Sequence, residues 1–519
     1  MIAIDPPAGE TTPSRTIVEM LRDVARRVPG DTALVCGDER LSWEVLDRRI
    51  NQVANALLAT GLQQGDRVAI LSENSVPYVE LFLGILRAGG CVTPLSTMAS
   101  PDALHKMLVD CGARALFLSR QYKALADPFL AELTLEKIAL DFDAPGFAGY
   151  QTWRDAALAD DPCIQISLQD PFNLIYSSGT TGTPKGILHN HWMRAAQMDR
   201  VTANGYDDNA RTLLSTPLYS NTTIVAFLPT LVGGSTVHLM PKFDARGWLD
   251  IAARERITHT MLVPVQYHRI MAVEEFASFD LSALRVKFST SAPLRAALKA
   301  DVLARCPGKL VEYYGLTEGG GVTVLVANEN PDKLHTVGKP VPGCEIRLID
   351  ETGHEVAAGE TGEICGRSPT MMAGYFGRDD LTADYIWHDA GGHVYFRSGD
   401  MGHFDGDGFL VLSDRKKDMI ISGGLNIYAN DLELALLADP DVRDAAVIGI
   451  PSEQWGETPL GLVVREGTRP AEDICAAANA RLGKSQRLAG VEIRTDLPRS
   501  SIGKILKREL RAPYWTDQT

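Results

Sequence analysis

Apolar residues that alternate between helical spacing and short unbroken runs constrain this chain more than any single motif does. Ser42 stands where a helix N-cap is expected, and Leu46, Ile50, Val53 and Leu57 follow at helical spacing up to a stop at Gly61. A short apolar strand, Val68 to Leu71, comes next, then a helical stretch over about 76–88 ending at Gly89-Gly90, and another strand at Cys91-Val92. The same alternation returns beyond residue 210, where the helix-like WLDIAARERI precedes the strand-like THTMLVPV. Strands interleaved with helices in this way predict a layered α/β fold.

At 519 residues the chain exceeds what one hydrophobic core serves, so two or more domains are expected. From about residue 336 the texture changes to short extended runs broken by glycine: GCEIRLID, GEICGRS, HVYFRSGD, and FLVLSD after the turn Asp405-Gly406-Asp407-Gly408. Hairpins and a small sheet are predicted there. The charged run SDRKKD then precedes a compact βαβ-like segment, with a helix near 430–438, strands AAVIGI and LGLVV, and a helix near 471–482. The domain boundary is expected at about residue 417, giving domains 1–416 and 417–519.

The formal charge of -15 disfavours nucleic acid and acidic membrane surfaces as partners, so a polyanionic ligand must find a locally positive pocket. No apolar run is long enough for a membrane span, and MIAIDPPAGETTPS has neither half of a signal peptide, so a cytoplasmic location is expected. Eight scattered cysteines without a CxxC pair argue against zinc and against a disulfide framework.

The strand Phe172 to Tyr176 runs into YSSGTTGTPKG, residues 176–186, which is poor at forming either helix or core. Its glycines let backbone N–H groups turn toward an anion. The hydroxyls of Ser177, Ser178, Thr180, Thr181 and Thr183 add donors, and Lys185 adds a point charge. The set suits a polyphosphate, yet Pro184 stands where the Walker pattern needs glycine, so a P-loop kinase or GTPase is a poor reading.

Together with YYGLTEGG, YFRSGD, SDRKKDMIISGGLNIYANDLE and PRSSIGKILKREL, in that order along nearly the whole chain, this loop resembles the adenylate-forming enzymes, which include acyl-CoA synthetases and 4-coumarate:CoA ligase. The resemblance implies a large N-terminal domain of layered α/β subdomains with a small β-barrel-like part, and a small mobile α+β C-terminal domain. It implies an ATP-dependent carboxylic acid:CoA ligase in which a carboxylate attacks the α-phosphate of ATP and CoA then takes the acyl group, with Mg2+ as metal. By the same resemblance Thr180, Thr181 and Lys185 hold the β- and γ-phosphates, Ala292 and Pro293 line the adenine edge, and Tyr314 stacks on its face. Thr317 meets the α-phosphate, Glu318 the magnesium, Asp400 the ribose hydroxyls, and Arg415 the ribose or phosphate. Lys417 falls on the hinge, Lys504 bridges the acyl carboxylate and the α-phosphate, and Gly423-Gly424 face the site as the thiol enters.

The chain departs from the family at Pro217-Leu218-Tyr219-Ser220-Asn221, where serine replaces a histidine that normally sits by the acyl carboxylate; Ser220 or Asn221 is expected to replace its contacts. Glycines 319, 320 and 321 leave volume for an acyl chain or ring, and the choice between an aliphatic and an aryl acid stays open. So does the choice between a monomer and a homodimer. The competing readings are an enzyme that loads a separate carrier protein and a non-catalytic adenylate-binding protein.

Overall fold

The computed structural model describes residues 13–177, 185–422, 425–482, 487–500 and 503–515. The predicted alternation forms. Ser42 accepts from the Val45 amide and starts the helix Trp43–Ala59, which buries Leu46, Ile50, Val53 and Leu57; Gly61 follows it with φ at +87°. The helix Val76–Arg87 crosses this one so closely that a Cβ on Gly84 would stand 2.4 Å from Val53 Cγ1, a separation only glycine permits.

Two large sheets carry most of the chain. One runs in the order Gly374–Tyr375, Lys185–Asn190, Pro171–Ser177, Cys91–Pro94, Arg67–Leu71, Ala115–Leu118, Glu136–Ala139, Ala148–Gly149. Its middle strands are parallel, which is why they read as unbroken apolar runs covered on both faces. Lys185–Asn190 returns antiparallel beside Pro171–Ser177, with Ser177 opposite Lys185.

The other sheet contains, in order, Thr323–Val326, Lys309–Tyr314, Val286–Ser289, His259–Leu262, Arg211–Leu214, Thr236–Leu239, Thr32–Cys36 and Glu39–Ser42. Its parallel register sets Leu214 beside Met261, Leu262 beside Ser289, and Ser289 beside Glu312. The segments that follow these strands, 215–221, 290–294 and 315–320, therefore leave the sheet along one carboxyl edge, where open α/β sheets bind ligands.

A five-stranded sheet of Glu345–Ile349, Gly362–Arg367, Ile386–His388, Val394–Phe404 and Leu410–Arg415 is the expected small β part, and its long hairpin turns at Asp405–Gly408. The last sheet pairs Val442–Ser452 with Gly456–Arg465 antiparallel, and Gly456–Arg465 with Gly490–Ile493 in parallel across the helix Ala471–Asn479. The helix Ala429–Leu437 buries Leu432 and Leu436 against that core.

Contacts divide the chain into two compact units. The first holds residues 1–335, 340–345 and 366–396; the second holds 336–339, 346–365 and 397–519. Within the first, Glu80 has no exposed surface and accepts from Tyr150 Oη at 2.6 Å, Arg154 Nη1 at 2.7 Å and Arg49 Nη1 at 2.8 Å. All eight cysteines are free thiols. Among the described residues no helix is long and apolar enough to cross a membrane.

Candidate functional site

In the first unit the carboxyl edge of the second sheet is built from backbone held in place by buried polar side chains. Asn74 Nδ2 donates to the Thr216 carbonyl at 2.9 Å, and its Oδ1 accepts the Leu218 amide at 2.8 Å, which fixes the turn ahead of Tyr219. Tyr219 is buried, with its hydroxyl 3.5 Å from Thr97 Oγ1. Ser220 caps the helix Asn221–Val232, accepting the Thr222 amide at 3.3 Å, a role for which serine is among the best residues. Thr222 Oγ1 also hydrogen-bonds Ser291 Oγ, so the start of this helix meets the segment containing Ala292 and Pro293. On the other side of that segment, Glu312 accepts the Leu294 amide at 3.1 Å and pairs with buried Lys299 at 2.5 Å.

Lys185 and Glu318 are joined through two tyrosines. Lys185 Nζ donates to Tyr385 Oη at 3.0 Å and lies over the rings of Tyr385 and Tyr375, 4.8 and 5.6 Å from their centroids. Tyr375 Oη donates to Glu318 Oε1 at 3.0 Å, and burial, then the Glu318 charge, pushes that hydroxyl far above its usual range. The Met372 amide donates to the Glu318 carbonyl at 2.8 Å. Lys185 thus stands over aromatic faces with no carboxylate partner among the described residues, an arrangement that keeps its charge available to an anion.

Gly319 and Gly320 correct one expectation. Both have positive φ, and a Cβ on Gly319 would stand 2.0 Å from the Thr370 carbonyl oxygen, while one on Gly320 would stand 3.0 Å from that of Gly366. Their missing side chains make room for neighbouring backbone rather than for an acyl group.

A chain of buried groups that sequence reasoning missed ties Thr317 to Asn221. Arg194 is completely buried, and its Nη2 donates to His189 Nδ1 at 2.8 Å. A guanidinium only donates, so Nδ1 is the acceptor and the ring proton sits on Nε2, which donates to the Thr317 carbonyl at 2.7 Å. Burial, with the Arg194 charge adding to it, holds His189 neutral. Arg194 also donates to Asn173 Oδ1 at 2.9 Å, to Gln197 Oε1 at 3.3 Å and to Asn221 Oδ1 at 2.9 Å, so every partner is uncharged. Burial draws its guanidinium down to about 9, still a cation at neutral pH. An arginine inside the otherwise apolar HWMRAA is the one sequence signal that pointed here.

The second unit gathers the remaining cations. Asp400 and Arg415 are opposite one another in the hairpin, and Arg415 Nε lies 3.0 Å from Asp400 Oδ1. Lys504 sits in a tight turn: its amide donates to Ser500 Oγ at 3.2 Å, its carbonyl accepts the Ser500 amide at 2.8 Å, and Gly503 beside it has φ at +76°. Burial chiefly, then repulsion from Arg415, pushes the Lys504 ammonium down to about 8, with Asp400 opposing the shift and Lys417 adding to it. Lys417 is lowered for the same two leading reasons. Arg415, Lys417 and Lys504 outnumber the two carboxylates that oppose the shifts, Asp400 and Asp418, so an incoming anion relieves the remaining repulsion.

Thr180, Thr181, Gly423 and Gly424 lie outside the described residues, as does the side chain of Ser177. Among the described residues no group of three or more His, Cys, Asp or Glu could hold a metal ion.

Residues 21–376 match the family model described as AMP-binding enzyme, and residues 431–504 match AMP-binding enzyme C-terminal domain. The chain is 35% identical over 497 residues to a feruloyl-CoA synthase of an Amycolatopsis species, covering 94% of this chain and 97% of that one. It is 34% identical over 501 residues to an indoleacetate–CoA ligase of Aromatoleum aromaticum, covering 93% and 95%. The crystal structure of ATP-bound MatB from Rhodopseudomonas palustris superposes with a TM-score of 0.86 at 28% identity, covering 96% of this chain and 99% of the other. With two family models placed in the order its motifs require and relatives matched over nearly their full length, the chain belongs to the AMP-binding family of adenylate-forming enzymes.

Proposed function

We propose that this protein is an ATP-dependent, AMP-forming carboxylic acid:CoA ligase. The observation that carries the reading is the convergence of segments 215–221, 290–294 and 315–320 on one carboxyl edge of a parallel sheet, each bearing groups suited to a nucleotide or a carboxylate. A carboxylate oxygen attacks the α-phosphorus and pyrophosphate leaves with the electrons of the broken P–O bond. The CoA sulfur, losing its proton, then attacks the acyl carbon and AMP departs.

Two anions must meet in the first step, so the chain contributes mainly positioning and neutralisation. Lys185, with Ser177, Thr180 and Thr181, holds the outer phosphates. Thr317 donates to the α-phosphate with its backbone held by His189, Tyr314 stacks on adenine beside Ala292 and Pro293, and Asp400 accepts from the ribose. Tyr219, Ser220 and Asn221 border the acid. Magnesium, when bound, neutralises phosphate charge; it needs only one or two carboxylates besides the phosphates, and Glu318 fits that requirement. Lys417 serves as the hinge between domains 1–416 and 417–519, and Gly423-Gly424 admit the thiol. The aromatic acyl groups named for the two relatives favour an aryl acid over an aliphatic one.

The test is acid-dependent pyrophosphate release over a panel of short, branched and aromatic acids, with CoA added or withheld and thioester measured directly. Thioester formed only when acid, ATP and CoA are all present is the expected result. Adenylate that accumulates and never passes to CoA overturns the reading in favour of a carrier-protein loader. In the same assay Asp400→Ala raises KM for ATP about 10–100-fold, the loss of hydrogen bonds to a charged acceptor, with a smaller change in KM for the acid.

A further inference from the structure

Arg194 directs every nitrogen of its guanidinium at a neutral acceptor. Nε and Nη2 donate to Asn173 Oδ1 at 3.1 and 2.9 Å, Nη2 also donates to His189 Nδ1 at 2.8 Å, and Nη1 donates to Asn221 Oδ1 at 2.9 Å and Gln197 Oε1 at 3.3 Å. The guanidinium carbon lies 5.9 Å from the centroid of the Phe172 ring, and the residue has no exposed surface, so no water competes for these donors. Burying a cation without a carboxylate costs stability. What an arginine does here that a neutral side chain of similar size does not is donate and never accept.

A group that only donates fixes the polarity of whatever it touches. A side-chain amide has one accepting oxygen and one donating nitrogen. Because Asn221 Oδ1 is held by Arg194, Asn221 Nδ2 is turned away from the guanidinium, and among the described residues no acceptor takes it. Ser220 is placed differently, since its hydroxyl oxygen accepts the Thr222 amide at 3.3 Å as the cap of helix Asn221–Val232. Of these two residues, Asn221 is the one whose donor is held in a fixed direction. The same logic acts on the other arm of the network. His189 Nδ1 accepts from Arg194 and, at 3.1 Å, from Asn173 Nδ2, which leaves the ring proton on Nε2 for the Thr317 carbonyl.

We propose that Asn221 Nδ2 donates to the reacting carboxylate of the acid, and that Arg194 is the positioning residue that presents it as a donor through the bond to Asn221 Oδ1. This rests on the ligase reading above, in which Asn221 borders the acid. Arg194 itself meets no substrate, because its donors are all engaged inside the core. Through its two arms one buried group holds both the donor for the attacking carboxylate and the backbone of Thr317, so the two reactants are oriented by a single rigid network.

The experiment measures KM for the acid and for ATP in acid-dependent pyrophosphate release with benzoate, ferulate, indoleacetate and hexanoate. It uses the full-length parent and the Asn221→Asp, Asn221→Ala, Arg194→Gln and Arg194→Lys variants. Asn221→Asp keeps the shape, gives Arg194 a carboxylate and replaces the donor with a second acceptor. It is expected to raise KM for the acid about 30-fold or more, to leave KM for ATP within about threefold, and to keep or raise the urea midpoint, a combination that a merely structural asparagine does not give. Asn221→Ala raises KM for the acid about 10-fold. Glutamine at 194 accepts as well as donates and so releases the Asn221 amide, raising KM for the acid by about the same factor, whereas lysine, which only donates, recovers most of that loss. If Arg194→Gln does not fold, the Asn221→Asp midpoint tests the pairing, and a fall in it overturns the role of Arg194. An acid KM that Asn221→Asp leaves unchanged, or equal losses in Arg194→Gln and Arg194→Lys, overturns the assignment while the ligase reading stands. Pyrophosphate release from the parent that none of the acids stimulates overturns both.

Discussion

Replacing Lys504 with alanine is expected to lower acid-dependent pyrophosphate exchange by a factor of about 10^2–10^3, the loss typical of removing one preorganised donor, while a supplied acyl-adenylate is still converted to thioester. The half-reactions separate because only the first brings two anions together. The ammonium is the group that can lie between them, and in the second step the phosphorus is no longer attacked. Measuring both half-reactions on one folded variant decides the matter: equal losses in the two would remove Lys504 from the adenylation step. Its protonation supplies a second readout. The ammonium is pushed down to about 8, so in the free enzyme the charge is present below that pH and lost as pH rises through it. Adenylation kcat/KM therefore falls with rising pH near 8 in the parent, and that limb disappears in Lys504→Ala. Bound triphosphate favours the charged form, so the corresponding limb in kcat lies at higher pH.

Replacing Glu80 with glutamine is expected to destabilise the first unit by about 3–5 kcal/mol, because it strands cations that the carboxylate now neutralises inside the core. Glu80 has no exposed surface, and Arg154, at 8% side-chain exposure, has little water to turn to. The glutamine keeps one acceptor for Tyr150 or Arg154, so the change isolates charge from shape. Urea unfolding midpoints of the parent and variant measure it. Glu39→Gln is the control, since Glu39 meets the same Arg49 at 3.0 Å from the exposed side, 47% accessible, and such pairs contribute about 1 kcal/mol or less. A Glu80→Gln midpoint no lower than that of the control would show that the cluster adds little to stability.

The function expected for this chain follows from a few positions at which chemistry and local geometry coincide. The loop rich in glycine, serine and threonine after the strand Pro171–Ser177 is expected from sequence to hold phosphate, because that task needs backbone N–H groups and hydroxyls close together in the chain. Ser220 was legible only as a departure from a family pattern; the helix that it caps supplies the reason for a serine there. Gly319 and Gly320 show where composition misleads. A missing Cβ looks the same in sequence whether it leaves space for a ligand or lets another strand of backbone through, and here Thr370 and Gly366 take the space.

Helices, strands and the layered α/β class were set by residues a few positions apart, since the spacing that makes a helix face or a buried strand is a property of neighbours along the chain. Which side chains meet was decided by crossovers between strands, and no local pattern carries that information. Lys185 reaches Tyr385 across 200 residues, Arg200 lies over Tyr313, and Arg194 steers Thr317 through His189. The charge that Arg200 carries was visible from the start; that it lies over the Tyr313 ring is a fact of packing, because only folding brings residues 113 positions apart together.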